Sequence, residues 1–249
     1  MRGWWQELAG LVLPVDCAGC GAARVLLCGV CRGALSGAYA GPVRPSPRPA
    51  GLPVVHGAAV YEGAVRAVVL AHKERGALPL AGWLGGALAA AVGAALAGAG
   101  GAAGGEVALV PVPSARRQVR ARGHDPARRI ALAASARLRR AGVPVRVAPV
   151  LRLRRAVADQ AGLGARQRRE NLAGALEVCR DGARVTAGAR IVLVDDLITT
   201  GATLTEAARA VRAAGLARGV APRAAVVAAA ADSFVRNRSA TSSGQKSCE

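Results

Sequence analysis

The run Ile191-Val-Leu-Val-Asp195-Asp196-Leu-Ile-Thr-Thr-Gly-Ala-Thr203 limits what this chain can fold into more than any other stretch. Four consecutive apolar residues, mostly β-branched, suit a strand buried on both faces, as in a parallel sheet covered by helices. Such a strand delivers the following residues to the carboxyl edge of an open α/β sheet, where ligands bind. Thr199, Thr200, Gly201, Ala202 and Thr203 carry little bulk. Their backbone N–H groups can therefore turn inward around an anion. The helix expected over 204–214 adds its positive end, and the threonine hydroxyls add donors. Gly201 permits close backbone approach. Asp195 and Asp196 are out of place beside an anion unless they serve another group. Carboxylates accept hydrogen bonds from vicinal hydroxyls or hold hydrated Mg²⁺. A sugar with a terminal phosphate and a neighbouring diol satisfies both halves. No GxxxxGK[ST] sequence occurs, so a nucleoside triphosphatase P-loop is not the explanation. The reading fails if 197–203 continue as regular strand or helix and leave no concavity.

The rest of the chain fits an α/β fold with a mainly parallel sheet flanked by helices. Strands are predicted at 54–60, 107–111, 145–150, 173–178, 191–194 and 221–230, and helices at 62–75, 80–97, 126–141 and 204–214. Asp125 and Pro126 suit the cap and first turn of the third of these helices. Residues 112–123 are predicted as a turn-rich loop and 152–172 as a basic, weakly patterned stretch. The predicted organisation is an N-terminal helix and cysteine module over 1–38, a linker over 39–53, the α/β domain over 54–236, and a disordered tail over 237–249. Five prolines at 42, 45, 47, 49 and 53 keep helix or central strand out of the linker.

Cys17, Cys20, Cys28 and Cys31 form C-x2-C-x7-C-x2-C. Two such pairs present four thiolates to one ion, a closed tetrahedral set that suits structural Zn²⁺ over disulfides, a redox pair or an iron–sulfur cluster. Cys179 and Cys248 have no assigned role. The N-terminus lacks a signal-peptide layout, since Glu7 and two tryptophans interrupt it, and a cytoplasmic location is predicted. No charge falls between Arg75 and Glu106, so length alone permits a membrane span there. Its alanine and glycine content favours a packed helix, and no span is predicted. The net charge of +19 points to anionic partners: phosphorylated metabolites, nucleic acid or a membrane surface. Only Lys73 and Lys246 are lysines, so arginine carries almost all of it, and with so much alanine and glycine a GC-rich coding sequence is the alternative source of that excess.

The segment 191–203 resembles the thirteen-residue fingerprint of type I phosphoribosyltransferases. The order Leu109-Val-Pro-Val-Pro113, then Arg122-Gly-His-Asp125, then Gln160…Leu163…Arg168…Asn171, then Val194-Asp-Asp…Thr-Thr-Gly-Ala-Thr203 resembles one subgroup, the ComF competence-protein family. The resemblance runs from Cys17 to about residue 230. It implies a type I phosphoribosyltransferase fold with a small N-terminal zinc knuckle. It also implies binding of 5-phosphoribosyl-1-pyrophosphate (PRPP) with Mg²⁺, and transfer of the phosphoribosyl group to an acceptor the sequence does not reveal. Asp195 and Asp196 would contact the ribose hydroxyls, and Thr199 to Thr203 the 5-phosphate. Arg116, Arg120 and Arg122 would serve the pyrophosphate, and Arg168, on a mobile loop, would neutralise it as it leaves. Lys73 is a further ligand candidate. Acceptor choice would lie with a variable hood, expected over 54–80 with C-terminal parts. The family name raises a second reading, a non-catalytic factor binding PRPP and single-stranded DNA. His124-Asp125 departs from the family's frequent Phe-Asn, which makes His124 a weak catalytic candidate.

Overall fold

A computed structural model describes residues 16–98, 105–157, 164–217 and 221–235. The helix expected at 4–13, the tail from 237, Cys248 and the motif residues Gln160 and Leu163 lie outside the described residues.

A short helix α1 (Gly29–Ala34) follows the first cysteine pair and leads to strand β1 (Gly41–Val43). Strand β2 (Val54–Val60), helix α2 (Gly63–Glu74), a 3-10 turn and helix α3 (Ala81–Ala97) come next. Then follow β3 (Val107–Pro111), α4 (Arg116–Arg122), α5 (Pro126–Arg140), β4 (Val145–Val147) and β5 (Leu151–Leu153). The remainder is α6 (Ala165–Leu172), β6 (Leu176–Val178), α7 (Gly182–Thr186), β7 (Arg190–Ile198), α8 (Ala202–Ala213) and β8 (Arg223–Ala229).

Six strands form one sheet in the order β1-β2-β8-β7-β3-β4. All neighbours run parallel except the edge strand β1, which is antiparallel to β2. The predicted mainly parallel sheet flanked by helices is therefore the observed fold. The chain leaves β3 through α5 toward β4 and leaves β7 through α8 toward β8, in opposite directions along the sheet. The gap between the carboxyl ends of β3 and β7 is thus the point where strand order reverses, the ligand position in this class.

Alternation along β7 builds the two layers. Val192 and Val194 enter a core with α2, α3 and α5, while Ile191 and Leu193 enter a second core with α8. Aromatic residues are 2% of the sequence, so these cores rely on close approach of small residues. At the crossing of α3 and α5, a side chain at Gly85 would stand 2.5 Å from Ala133 Cβ and 2.8 Å from Ala134 N. Leu84 and Leu88 on α3 are sealed in this layer, each contributing about 2 kcal/mol. The segment Leu78–Ala97 is long and apolar enough to cross a membrane by length and composition alone, yet half of it is buried within the protein, against β2, β8 and α5.

Several expectations need correction. Residues 116–122 form a helix, because arginine, glutamine and alanine are good helix formers once Gly123 ends the run. The basic stretch 152–172 contains β5 and α6, and β5 pairs antiparallel with β6 as a separate two-stranded sheet. The strand predicted at 145–150 ends at Val147. The linker contributes β1, whose Pro42 sits where an edge strand tolerates the missing donor. The expected hood at 54–80 is instead a strand of the main sheet and the helix packed on it. Finally, β7 continues through Asp195 and Asp196 to Ile198, and α8 begins at Ala202, so only Thr199, Thr200 and Gly201 are irregular. Pairing with β8 as far as Ala229 carries the acidic residues along in register.

Candidate functional site

The turn Thr199–Gly201 lies at the carboxyl edge of β7. Gly201 has φ +76°, and a side chain there would meet Leu52 at 3.0 Å and Pro45 at 3.4 Å. The proline-rich segment thus backs the turn and leaves its other side for a ligand. No side chain of Gly201 can cap α8, and the first-turn amides lack partners in the helix. Thr200 Oγ1 accepts a 3.4 Å contact from the Ala202 amide. Thr205 Oγ1 donates to the Gly201 carbonyl at 2.9 Å, fixing the turn from within the helix. Beyond the long contact at Ala202, the first-turn amides at the positive end of a twelve-residue helix attract an anion.

Arg168 reaches this turn from α6. Its Nη1 donates to Thr199 Oγ1 at 3.0 Å, while its Nε is buried without a partner. The guanidinium therefore brings a full positive charge to the rim of the turn. Arg155 closes the base of the same segment by donating to the carbonyls of Asn171 and Ala173, both at 2.9 Å.

The acidic pair lies three residues before the turn. Asp196 is 3% exposed and takes both contacts of Lys73 Nζ, at 2.8 and 3.1 Å. Asp195 is half-buried as a residue, while its carboxyl group sits deep among protein atoms and accepts the Asp196 amide at 2.8 Å. Burial first, and then the charge of Asp196, push Asp195 well above the usual carboxylate range; Lys73 opposes this and loses. Burial would lower Lys73, but the attraction of Asp196 and Asp195 raises it instead. One ammonium thus faces two carboxyl groups, and Asp195, which has no direct contact with Lys73, is the one pushed toward its protonated form.

Residues near β3 complete the edge. The Val112 amide donates to the Val194 carbonyl at 2.9 Å, which joins the loop after β3 to β7. Arg122 makes two parallel bonds to Glu74, at 2.9 and 2.8 Å, and opposes the charge of Lys73. Arg116 and Arg120 are exposed and have no ion-pair or hydrogen-bond partner among the described residues. The structure therefore unites Asp195, Asp196, Thr199 to Thr203 and Arg168 at one edge. It ties Arg122 to α2 and leaves Arg116 and Arg120 open to solvent. Lys73 was the weaker candidate in the sequence, yet it makes the most direct contact with the acidic pair. Its signals were a place in the last turn of a helix and the lysine frequent there in the family the sequence resembles.

The cysteine cluster lies apart from this edge. The ligand atoms of Cys17, Cys20, Cys28 and Cys31 all fall within 4.8 Å of one another, so the cluster could hold zinc. Tetrahedral Zn–S bonds require sulfurs about 3.8 Å apart. The Sγ atoms of Cys20 and Cys28 are 3.6 Å apart. Burial would raise Cys17, but backbone N–H groups of Cys28, Cys20 and Gly19 lower it to about 6, favouring thiolate. The Cys28 amide donates to Cys17 Sγ at 3.3 Å.

The chain matches none of the curated proteins with which it was compared. Residues 135–244 match the family model of the phosphoribosyl transferase domain, a stretch that holds Arg168, the acidic pair and the Thr199–Gly201 turn.

Proposed function

We propose that this chain binds PRPP at the reversal point between β3 and β7 and transfers its phosphoribosyl group to an acceptor, releasing pyrophosphate. The observation that carries the reading is the sequence of groups along β7 and α8. A carboxyl pair suited to a diol is followed directly by a small turn of open amides suited to a phosphate. The match to the phosphoribosyl transferase domain supports phosphoribosyl chemistry in general. The finer assignment to the ComF family rests on the ordered motifs around Pro111, Gly123, Arg168 and Asp195.

In this reading Thr199 to Thr203 hold the 5-phosphate end and Asp195 and Asp196 accept the ribose hydroxyls; Arg168, expected at the leaving pyrophosphate, is reassigned to the 5-phosphate end because it donates to Thr199. Arginines of α4 stabilise the charge that develops on the departing pyrophosphate. Catalysis is positioning and electrostatics, and needs no nucleophilic side chain. The hard oxygens of Asp195 and Asp196 suit Mg²⁺. Because Lys73 already occupies Asp196, they fit an ion that arrives with PRPP better than a resident one. The four cysteines would hold a structural Zn²⁺. A second reading, PRPP binding without turnover combined with single-stranded DNA binding, draws on the unpaired arginines of α4.

Calorimetric PRPP binding with and without Mg²⁺, on the wild type and on Asp195→Asn/Asp196→Asn, tests the site. The double variant should lose at least about tenfold in affinity, equivalent to about 1.4 kcal/mol. Equal binding by both proteins rejects the assigned roles. Pyrophosphate release across a panel of bases, amines and ammonia separates turnover from binding alone. DNA affinity that does not fall with salt removes arginine–phosphate contacts as the basis of the second reading.

A further inference from the structure

Helix α4, in the connection that leaves β3, carries Arg116, Arg120 and Arg122, yet it buries no residue. Apolar packing therefore does not fix where Arg116 and Arg120 stand. Its C-terminal end is held by polar ties to two residues of α2, His72 and Glu74. Glu74 receives the bidentate pair from Arg122, whose side chain is only 15% exposed. The carbonyl of His72 lies 3.1 Å from His124 Nε2, and the carbonyl of Arg122 lies 3.1 Å from His124 Nδ1. His124 is itself 6% exposed. Between these two residues of α2, Lys73 holds Asp196. One helical turn thus joins the arginine helix to the acidic pair.

We propose that Glu74 and His124 are positioning residues that set α4, and with it Arg116 and Arg120, against the pyrophosphate end of the substrate. The inference rests on the PRPP reading and revises one part of it. Arg122 has Nε and Nη2 committed to Glu74, so its part is to fix α4, and the grip on pyrophosphate passes to Arg116 and Arg120. The Glu74 side chain is 44% exposed, so it is the two-pronged geometry and the cover over Arg122, not burial of the pair, that give it more rigidity than a single-contact surface pair. A neutral His124 ring has one N–H to donate, to the His72 carbonyl of α2 or to the Arg122 carbonyl of α4 according to its tautomer, a tie that an apolar ring at that position cannot make.

The test uses the full chain with Glu74→Gln, His124→Phe, and the exchanged pair Glu74→Arg/Arg122→Glu. Affinities are measured for Mg²⁺–PRPP, pyrophosphate and ribose 5-phosphate, with thermal midpoints recorded for each protein. Misplacement of charged groups by about an ångström costs ~10–100-fold, so Glu74→Gln should weaken PRPP and pyrophosphate by that order. Ribose 5-phosphate, which engages only the turn and the acidic pair, should stay within about twofold, a difference of ~0.4 kcal/mol. His124→Phe should follow Glu74→Gln in the same direction, and the exchanged pair should recover most of the loss. Unchanged PRPP affinity in Glu74→Gln overturns the proposal, as does an equal loss for ribose 5-phosphate. An exchanged pair that folds with a normal midpoint yet binds no better than Glu74→Gln does the same. If the wild type binds ribose 5-phosphate but not pyrophosphate, the positioning role fails while the 5-phosphate site stands. If it binds none of the three, the PRPP reading fails and takes this inference with it.

Discussion

Both ring nitrogens of His72 are buried without a hydrogen-bond partner, although its carbonyl is used by His124. Burial, reinforced by His124, lowers its pKa to about 4, with Asp196 pulling weakly the other way. The folded protein therefore keeps this imidazole neutral, whereas the unfolded chain protonates it near pH 6.5. Its contribution to stability is complete above that value and is lost as the pH falls from about 6.5 toward 4. Replacing His72 with leucine removes an unsatisfied polar group and should stabilise the protein by about 1 kcal/mol at pH 7.5. The gain should widen at pH 5. Urea midpoints at the two pH values check this, and parallel pH curves for both proteins would show that His72 does not titrate on unfolding. Gly201 supplies a second prediction at this scale. Alanine there meets positive φ and the Leu52 side chain, so Gly201→Ala should cost about 1 kcal/mol or more and weaken ribose 5-phosphate binding. The sequence pointed directly to Asp195, Asp196, Thr199 and Gly201, because they adjoin one another along the chain. It gave little reason to prefer Lys73, which meets Asp196 across 123 residues of separation. Such a contact depends on how α2 lies against β7, and no local pattern encodes it.

Elements with strong periodicity or clear caps were legible: β2, β3 and α5 lie within a residue of where the sequence puts them, with Asp125 accepting the Arg128 amide at 3.1 Å. Elements stabilised by a distant partner were not. Strand β7 runs four residues past its apolar stretch because β8 supplies the hydrogen bonds that two aspartates would not attract alone. Strand β6 is held by a group on α8 that the sequence did not suggest. Glu206, 5% exposed, accepts the Leu176 amide at 3.0 Å and is gripped by Arg209, which also donates to the Leu176 carbonyl at 2.8 Å. Burial would raise this carboxyl, but Arg209 and the backbone donors lower it, so its contribution fades as pH drops through the lowered value. Glu206→Ala strands a buried amide and a guanidinium, and should cost about 2–3 kcal/mol. Glu206→Gln keeps an acceptor and should cost less than the alanine change. Denaturant midpoints rank the two, and an equal cost would mean that packing, not the polar bridge, holds β6 to α8.

For the whole molecule, the position of the cysteine cluster decides how far metal loss spreads. Cys17, Leu27, Cys31 and Leu35 are buried in the same core as Val65, Val68, Leu84 and Leu88 of α2 and α3. The knuckle is therefore a wall of the main core, even though the sequence reads as a separate module followed by a linker. A knuckle of this size has little apolar interior of its own, so the metal would supply most of its folding free energy. Stripping the metal should then expose the outer faces of α2 and α3 and lower the thermal midpoint of the entire domain. For a chain of this length each kcal/mol corresponds to roughly 2–4 °C, so a fall of several degrees is expected on chelation. Metal analysis should find about one zinc per chain, and Cys31→Ser should reproduce the chelated state without chelator, since a structural site of this kind needs four ligands. Because α2 also carries Lys73 and Glu74 at its far end, chelation should weaken PRPP binding before the protein unfolds. A chelated protein with an unchanged midpoint and unchanged PRPP affinity would mean that the shared core holds without the metal, and that α2 does not carry the effect from the knuckle to the site.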